Sequence, residues 1–372
     1  MDDTSFNIDR VILRRVKVPM REPFRISNGS VSEKESIVIE LYSGKDVGYG
    51  EASPMSGSFY SSETPETTWQ ALANDLVPEI LNRTFDIPQS YAERLNEYAK
   101  EPFARAGIEG AVWDIYAAKH KTTIRELLGA PQDKIPSGLA VGIYDTIDEL
   151  LERTAHHLES GYQRIKIKIA PGWDVEPIEA VRKRFPGIPL MVDANAAYNL
   201  ADHSGLLRSL DRFNLMMIEQ PLSASALAEM AWLARSMKTP ICVDESADSM
   251  KSLEEIIRLK SASIVNIKVQ RIGGLWNAKK MLNRAREAGL GCWLGTMPEL
   301  GIASAQALVI ATLPGFVYPT DIEESERWFN DDLIEPQITI TKDGFIDLPK
   351  DGYEIDRAKL EQYTVEIQEF EN

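Results

Sequence analysis

At 372 residues, 44% hydrophobic and 26% charged, the chain has a globular composition with room for two or three domains of about 150 residues each. It lacks any run of about 18 apolar residues to span a bilayer, and its N-terminus, MDDTSFNIDR, is acidic where a secretory signal would be basic and then apolar. A net charge of −16 argues against the basic face that a nucleic-acid partner would reward, so a cytoplasmic protein without membrane or nucleic-acid partners is expected, a homo-oligomer being left open.

In chain order, residues 8 to 18 and 35 to 50 are expected as strands, with KVPMREPFRISNG between them as a loop carrying Met20, Pro23, Phe24 and Gly29. A second loop runs from Gly50 to Thr68 and, at about 19 residues, is longer than an ordinary structureless connection, which favours a lid or binding loop. Each loop offers an aromatic side chain, Phe24 and Tyr60, to close over a site. Helical patterns follow at Thr67 to Leu81, Pro88 to Lys100 and Ala104 to Lys119, giving an α+β domain over residues 1–125. A βα period then starts with PSGLAVGI at 136 to 143. It continues through RIKIKIA, LMVDAN, MMIEQP, ICVDES, IVNIKV and GCWLGT to FVYPTDI at 316 to 322, with amphipathic helical stretches between. Eight strands and seven intervening helices predict a modified (β/α)7β barrel of TIM type over 126–322. A doubly wound sheet fits less well, because no Gly-rich phosphate loop marks a crevice. The tail, 323–372, returns to an antiparallel pattern in ITITKDGFIDLP and is expected to rejoin the N-terminal part as one α+β capping domain. Cys242 and Cys292 lie in apolar runs and are expected to be buried thiols.

Five of the barrel runs end on a charge: Lys168, Asp193, Glu219, Asp244 and Lys268, separated by 25, 26, 25 and 24 positions. The apolar residues come first in each unit, so the charges fall at the C-terminal ends of the strands, where barrels place their chemistry. Strands two and six of eight stand on opposite sides of a closed barrel. Lys168 and Lys268 therefore flank Asp193, Glu219 and Asp244. Three converging carboxylates call for a divalent cation, and hard oxygen ligands without His or Cys favour Mg²⁺, with Mn²⁺ as a substitute. His120, His156, His157 and His203 lie away from the strand ends, which leaves catalysis by imidazole without support.

The chemistry that needs such a site is proton removal beside the carboxylate of a small-molecule substrate, with the metal stabilising the enediolate. A lysine base must be neutral at working pH, with its pKa lowered toward roughly 7 to 8. Lys166, two residues from Lys168 and so on the same strand face, disfavours a second charge there, and Arg271 is the candidate for the same task near Lys268.

The motifs IKIKIAPGWD at 165 to 174, VDAN, IEQP, VDES and NIKVQRIGG resemble those of the enolase superfamily, muconate-lactonizing subgroup. FYSSETPETTW and PTDIEESERWFNDDL resemble the o-succinylbenzoate synthase / N-succinylamino acid racemase family within it. Muconate-lactonizing enzymes and dipeptide epimerases carry Asp-x-Asp on a last strand that here reads TDI. The similarity covers nearly the whole chain. It implies a capping domain over the barrel, Mg²⁺ on Asp193, Glu219 and Asp244, acid/base roles for Lys168 and Lys268, and Asn195 beside Lys166 and Arg271 in supporting roles. Phe24 and Tyr60 of the two long loops, with Gly295 and Met297, are expected to border the substrate pocket. Thr296, Leu300, Ala303 and Ser304 depart from the residues expected in GTMPELGIASA, a stretch that lines the pocket in relatives, and so bear on the substrate rather than on the reaction type. The implied activity is Mg²⁺-dependent dehydration of 2-succinyl-6-hydroxy-2,4-cyclohexadiene-1-carboxylate to o-succinylbenzoate, a step of menaquinone biosynthesis. N-succinylamino acid racemization, alone or as a second activity, is the alternative, and a catalytically silent metal-binding barrel is the alternative from another class.

Overall fold

The computed structural model describes residues 5–26, 29–57, 61–81 and 83–371. Its cap is built on a four-stranded antiparallel sheet in the order Thr364–Glu371, Arg10–Ile26, Gly29–Ser43, Asp46–Ala52. Side chains alternate across it. Leu13, Ile37, Ile39 and Leu41 therefore bury one face in a core shared with Leu72, Ile108 and Ile115, while Val16, Val18 and Val38 on the other face join the core that continues into the barrel. Helix Pro102–His120 meets this sheet at backbone distance: a Cβ on Gly50 would stand 1.9 Å from the carbonyl oxygen of Gly107.

Two expectations for the cap need correction. The segment expected as a loop after residue 18 is strand, since the ladder runs on to Ile26 and returns from Gly29 as one long hairpin. Pro19 and Pro23 made it read as a loop; lacking N–H groups, they coincide with a shift of register between Pro19 and Phe24 rather than an end of pairing. The run expected as one strand over 35 to 50 is two strands, turned at Gly44 with φ of 61°.

The barrel has seven parallel strands in sequential order: β1 Leu139–Val141, β2 Ile165–Lys168, β3 Leu190–Asp193, β4 Ile218–Glu219, β5 Ile241–Val243, β6 Ile264–Ile267 and β7 Gly291–Leu294. The expected eighth strand is not a regular ladder, because Pro319 interrupts it. Residues 316–321 still close the barrel: Val317 and Asp321 donate backbone N–H groups to Cys292 and Leu294, Thr320 donates to Pro136, and Gly138 donates to Thr320. Strand alternation puts Ile165, Ile167, Val192, Ile218, Val243 and Val265 against the surrounding helices. The opposite parity faces inward. Its lower layer is apolar, with Met191, Met217, Cys242, Ile264 and Trp293, and its upper layer is charged. Both cysteines are free and buried, as expected.

Cap and barrel are joined by buried carboxylates that accept from the unpaired N–H groups at helix starts. Glu109 accepts from Leu275 and Trp276 at 2.5 and 2.9 Å, at the head of helix Leu275–Glu287. Glu51 accepts from Leu300 and Ala303 at 3.1 and 2.9 Å, at the head of Gly301–Ala311. The tail divides its contacts. Phe345–Asp347 pairs with Lys134–Pro136 at the entry to the barrel, whereas the last strand joins the cap sheet and Phe329 bridges to Met20 of its long hairpin. Among the described residues, no helix is long and apolar enough to cross a membrane.

Candidate active site

The charged layer follows from strand register. Lys168 is the register partner of Asp193, and Asp193 of Glu219, so these three share one level, with Asp244 just past the end of β5 and Lys268 just past the end of β6. Lys168 Nζ donates to Asp193 Oδ2 at 2.6 Å and to Asn195 Oδ1 at 2.9 Å. Across the mouth, Lys268 Nζ donates to Asp244 Oδ2 at 3.0 Å and Arg271 Nη1 to Asp244 Oδ1 at 2.5 Å. Lys166 Nζ lies deeper, 2.8 Å from Glu219 Oε2, 3.0 Å from Asp193 Oδ2 and 2.9 Å from Asp321 Oδ2. Asn266 Nδ2 donates to Glu219 Oε1 at 2.7 Å.

Electrostatics separates the three carboxylates. Burial penalises the charge on Asp193, but Lys166 and Lys168 outweigh it and hold its pKa at about 2. Asp244 is likewise lowered against burial, by Arg271 and Lys268. Glu219 goes the other way: burial, then the charges of Asp193 and Asp244, push it up to about 8 despite Lys166. Lys166 is raised well above the ordinary lysine range, since Asp193, Asp321, Glu219 and Asp244 overcome its burial. It is therefore a fixed cation, sharing Asp193 Oδ2 with Lys168.

The donor set fits a hard divalent cation. The three side chains offer only oxygen, and the buried Glu219 carboxylate, opposed by two like charges, would be stabilised as an anion by further positive charge. Among the described residues, no three such groups already converge on one point. Asp193 and Asp244 are instead turned toward the two lysines.

Strained backbone marks the same strand ends. Asn195, Ala196 and Gln220 have φ of 42°, 60° and 36°, a region costly for residues with a Cβ. Gln220 is held there by the bonds of its side chain. Its Oε1 accepts from Asp244 N and Ser246 N, and its Nε2 donates to Leu222 O and Ser246 Oγ.

Among the described residues, the cavity that Lys166, Lys168 and Lys268 share is bounded on its other sides by Phe24, Met297 and Trp328, and measures about 40 Å³. A pocket for a small organic ligand is typically at least about 300 Å³, so the mouth is closed in this conformation. Phe24 packs edge-on against Trp328, ring centroids 4.9 Å apart. Two larger clefts, of about 510 and 520 Å³, lie elsewhere, and neither is bordered by the mouth lysines.

Of the sequence candidates, Lys166, Lys168, Lys268, Phe24 and Met297 border the cavity, while Asn195 and Arg271 stand behind Lys168 and Asp244. Gly295 is not on the cavity wall. It leaves room for Asn266, whose Oδ1 would be 2.2 Å from a Cβ there. Tyr60 lies outside the described residues. Asp321, Asn266, Gln220 and Trp328 join the site without having been among the sequence candidates. Asp321 stood in the quoted TDI, and the inward parity of β6 could have shown Asn266.

Residues 149–359 match the family described as enolase C-terminal domain-like, and residues 8–129 match the mandelate racemase / muconate lactonizing enzyme N-terminal domain. The chain is 40% identical to the o-succinylbenzoate synthase of Geobacillus kaustophilus, over 97% of this chain and 96% of that protein. It is 39% identical to an N-succinylamino acid racemase of Amycolatopsis sp, over 88% and 89% of the two chains. A solved enolase-superfamily structure from Listeria innocua superposes with a TM-score of 0.93 at 32% identity, covering 98% of this chain and 99% of that one.

Proposed function

The chain belongs to the enolase superfamily, and from that premise we propose that it is an o-succinylbenzoate synthase, a hydro-lyase that removes the proton α to a substrate carboxylate. The substrate is 2-succinyl-6-hydroxy-2,4-cyclohexadiene-1-carboxylate, and the products are o-succinylbenzoate and water. The reaction serves menaquinone biosynthesis in the cytoplasm. The observation that carries this reading is the pair of lysines on opposite flanks of three buried carboxylates, one at the end of β2 and one just past β6.

Asp193, Glu219 and Asp244 are the side chains that would hold Mg²⁺ or Mn²⁺, which when bound supplies an electrophile for the substrate carboxylate. Lys168 takes the α-proton and delivers it to the departing hydroxyl on the same face, while the bond that held the proton becomes the new ring double bond. Asn195 fixes the Lys168 amine from behind. Lys268 faces the opposite side of the ring and acts through its charge. Lys166 keeps a permanent positive charge beneath the carboxylates. Phe24 and Trp328 cover the reacting carbon and exclude water.

N-succinylamino acid racemization is the second reading, favoured by the near-equal identity to the Amycolatopsis racemase. Lys168 and Lys268 then exchange the α-proton on the two faces. Assays with the cyclohexadiene acid and with N-succinylamino acids, before and after chelation, test both. Turnover of the cyclohexadiene acid should vanish with chelator and return with Mg²⁺ or Mn²⁺. Full activity in chelated protein would sink the metal assignment, and no turnover together with no α-proton exchange in D₂O would leave a silent barrel.

A further inference from the structure

The hairpin Arg10–Ile26/Gly29–Ser43 brings Phe24 to the cavity wall, and there Phe24, Ile26 and Val31 pack into the core shared with the barrel rather than into the cap's own core. The hairpin backbone is also tied at two points: Arg25 O accepts the Ile143 N–H at 2.9 Å, and Met20 pairs with Phe329. Gly142 permits the first contact, because a Cβ there would stand 2.7 Å from Arg25 O.

Between these ties lies Glu22. Its Oε1 accepts from Arg327 Nη1 at 2.8 Å and stands 3.3 Å from His157 Nε2, and its Oε2 is 3.3 Å from Arg153 Nη1. Two further ion pairs of the hairpin, Arg21–Glu326 and Arg25–Asp145, are between exposed groups and worth little. Glu22 differs because Arg327 is buried, 2% exposed at its side chain, with its Nε 3.5 Å from Glu323 Oε2. The Arg327 guanidinium also stacks on Trp328, 4.6 Å from the ring centroid. One carboxylate on the lid thus grips the arginine that supports the second aromatic wall of the cavity.

We propose that Glu22 is a positioning residue that latches the hairpin to Arg327 and the helix Ile147–Leu158, setting Phe24 against Trp328 over the mouth. A cavity of about 40 Å³ admits no organic substrate, so the latch must release and re-form in each catalytic cycle. Its part in turnover rests on the lyase reading above. The anchoring itself does not.

The test is Glu22→Gln, with Arg153→Gln, a half-exposed partner, as the milder second variant, each followed by hydrogen exchange, Mn²⁺ binding and steady-state kinetics. Losing a charge-assisted bond should speed exchange at the hairpin end and at Ile143 by about tenfold or more in Glu22→Gln, and by less in Arg153→Gln. Mn²⁺ affinity should be unchanged, and the loss in kcat/KM should fall mainly on KM. Unchanged exchange at Ile143 in Glu22→Gln would overturn the latch, as would faster exchange spread evenly over the whole chain. If exchange rises as expected but even the parent protein fails to dehydrate the cyclohexadiene acid, the latch stands and the lyase reading falls.

Discussion

Lys168 and Lys268 occupy equivalent rims of the barrel but different surroundings: Lys168 meets Asp193 and Asn195, with the permanent charge of Lys166 nearby, whereas Lys268 shares Asp244 with Arg271. That asymmetry suits dehydration, in which one lysine moves the proton and the other supplies charge. Arginine keeps the charge but stays protonated, so it cannot serve as a base. Lys268→Arg should retain measurable dehydration and lose racemization, whereas Lys168→Ala should lose both by about 10²–10⁴-fold, the usual worth of a general base. Equal loss of the two activities in Lys268→Arg, with Mn²⁺ still bound, would show this division of labour to be wrong.

At the scale of elements, the cap depends on a helix seated directly on a strand. Gly50 and Gly107 make this approach, and a methyl group at position 50 would meet backbone rather than a side chain that could turn aside. Gly50→Ala should therefore lower stability by about 1–3 kcal/mol or more, the range for overpacking a tight interior. Thermal unfolding reads the loss directly, and an unchanged midpoint would mean that helix Pro102–His120 can retreat without cost. The neighbouring Glu51 heads the helix after β7, so the same substitution also tests whether packing in the cap reaches the Met297 wall.

For the whole molecule, the union of cap and barrel carries a pH signature. Burial pushes Glu109 up to about 7 against the bonds it accepts from Trp113, Trp276 and Leu275, from an unfolded value near 4.3. The folded state binds that proton more tightly than the unfolded chain. The contribution of Glu109 is thus most favourable below about pH 4.3 and is lost as pH rises to about 7. Glu109→Gln removes the ionisation but turns an amide N–H₂ toward one of the donors, a cost of about 1–2 kcal/mol that does not depend on pH. The deficit of the variant in unfolding temperature should therefore shrink as pH is raised from about 5 to about 8. A deficit that stays constant would place the titration of Glu109 outside this range.

The strand ends were legible in the sequence for a physical reason. Strand parity and a repeat of about 25 residues force charges that follow apolar runs into one layer at the C-terminal mouth. Asp193, Glu219, Asp244, Lys168 and Lys268 could thus be named from the chain alone, and the barrel with them. Other features needed the folded chain. Prolines at 19 and 23 imitate a loop, and only pairing with the partner strand shows that the hairpin continues past them. Asp321 and Lys166 meet across the closing seam of the barrel, 155 positions apart. Glu22 and Arg327 lie 305 positions apart, and Glu109 and Leu275 lie 166 apart. Local pattern constrains neighbours within a turn or a strand, whereas these ion pairs and caps form between groups that only the packing of cap on barrel brings within hydrogen-bond reach.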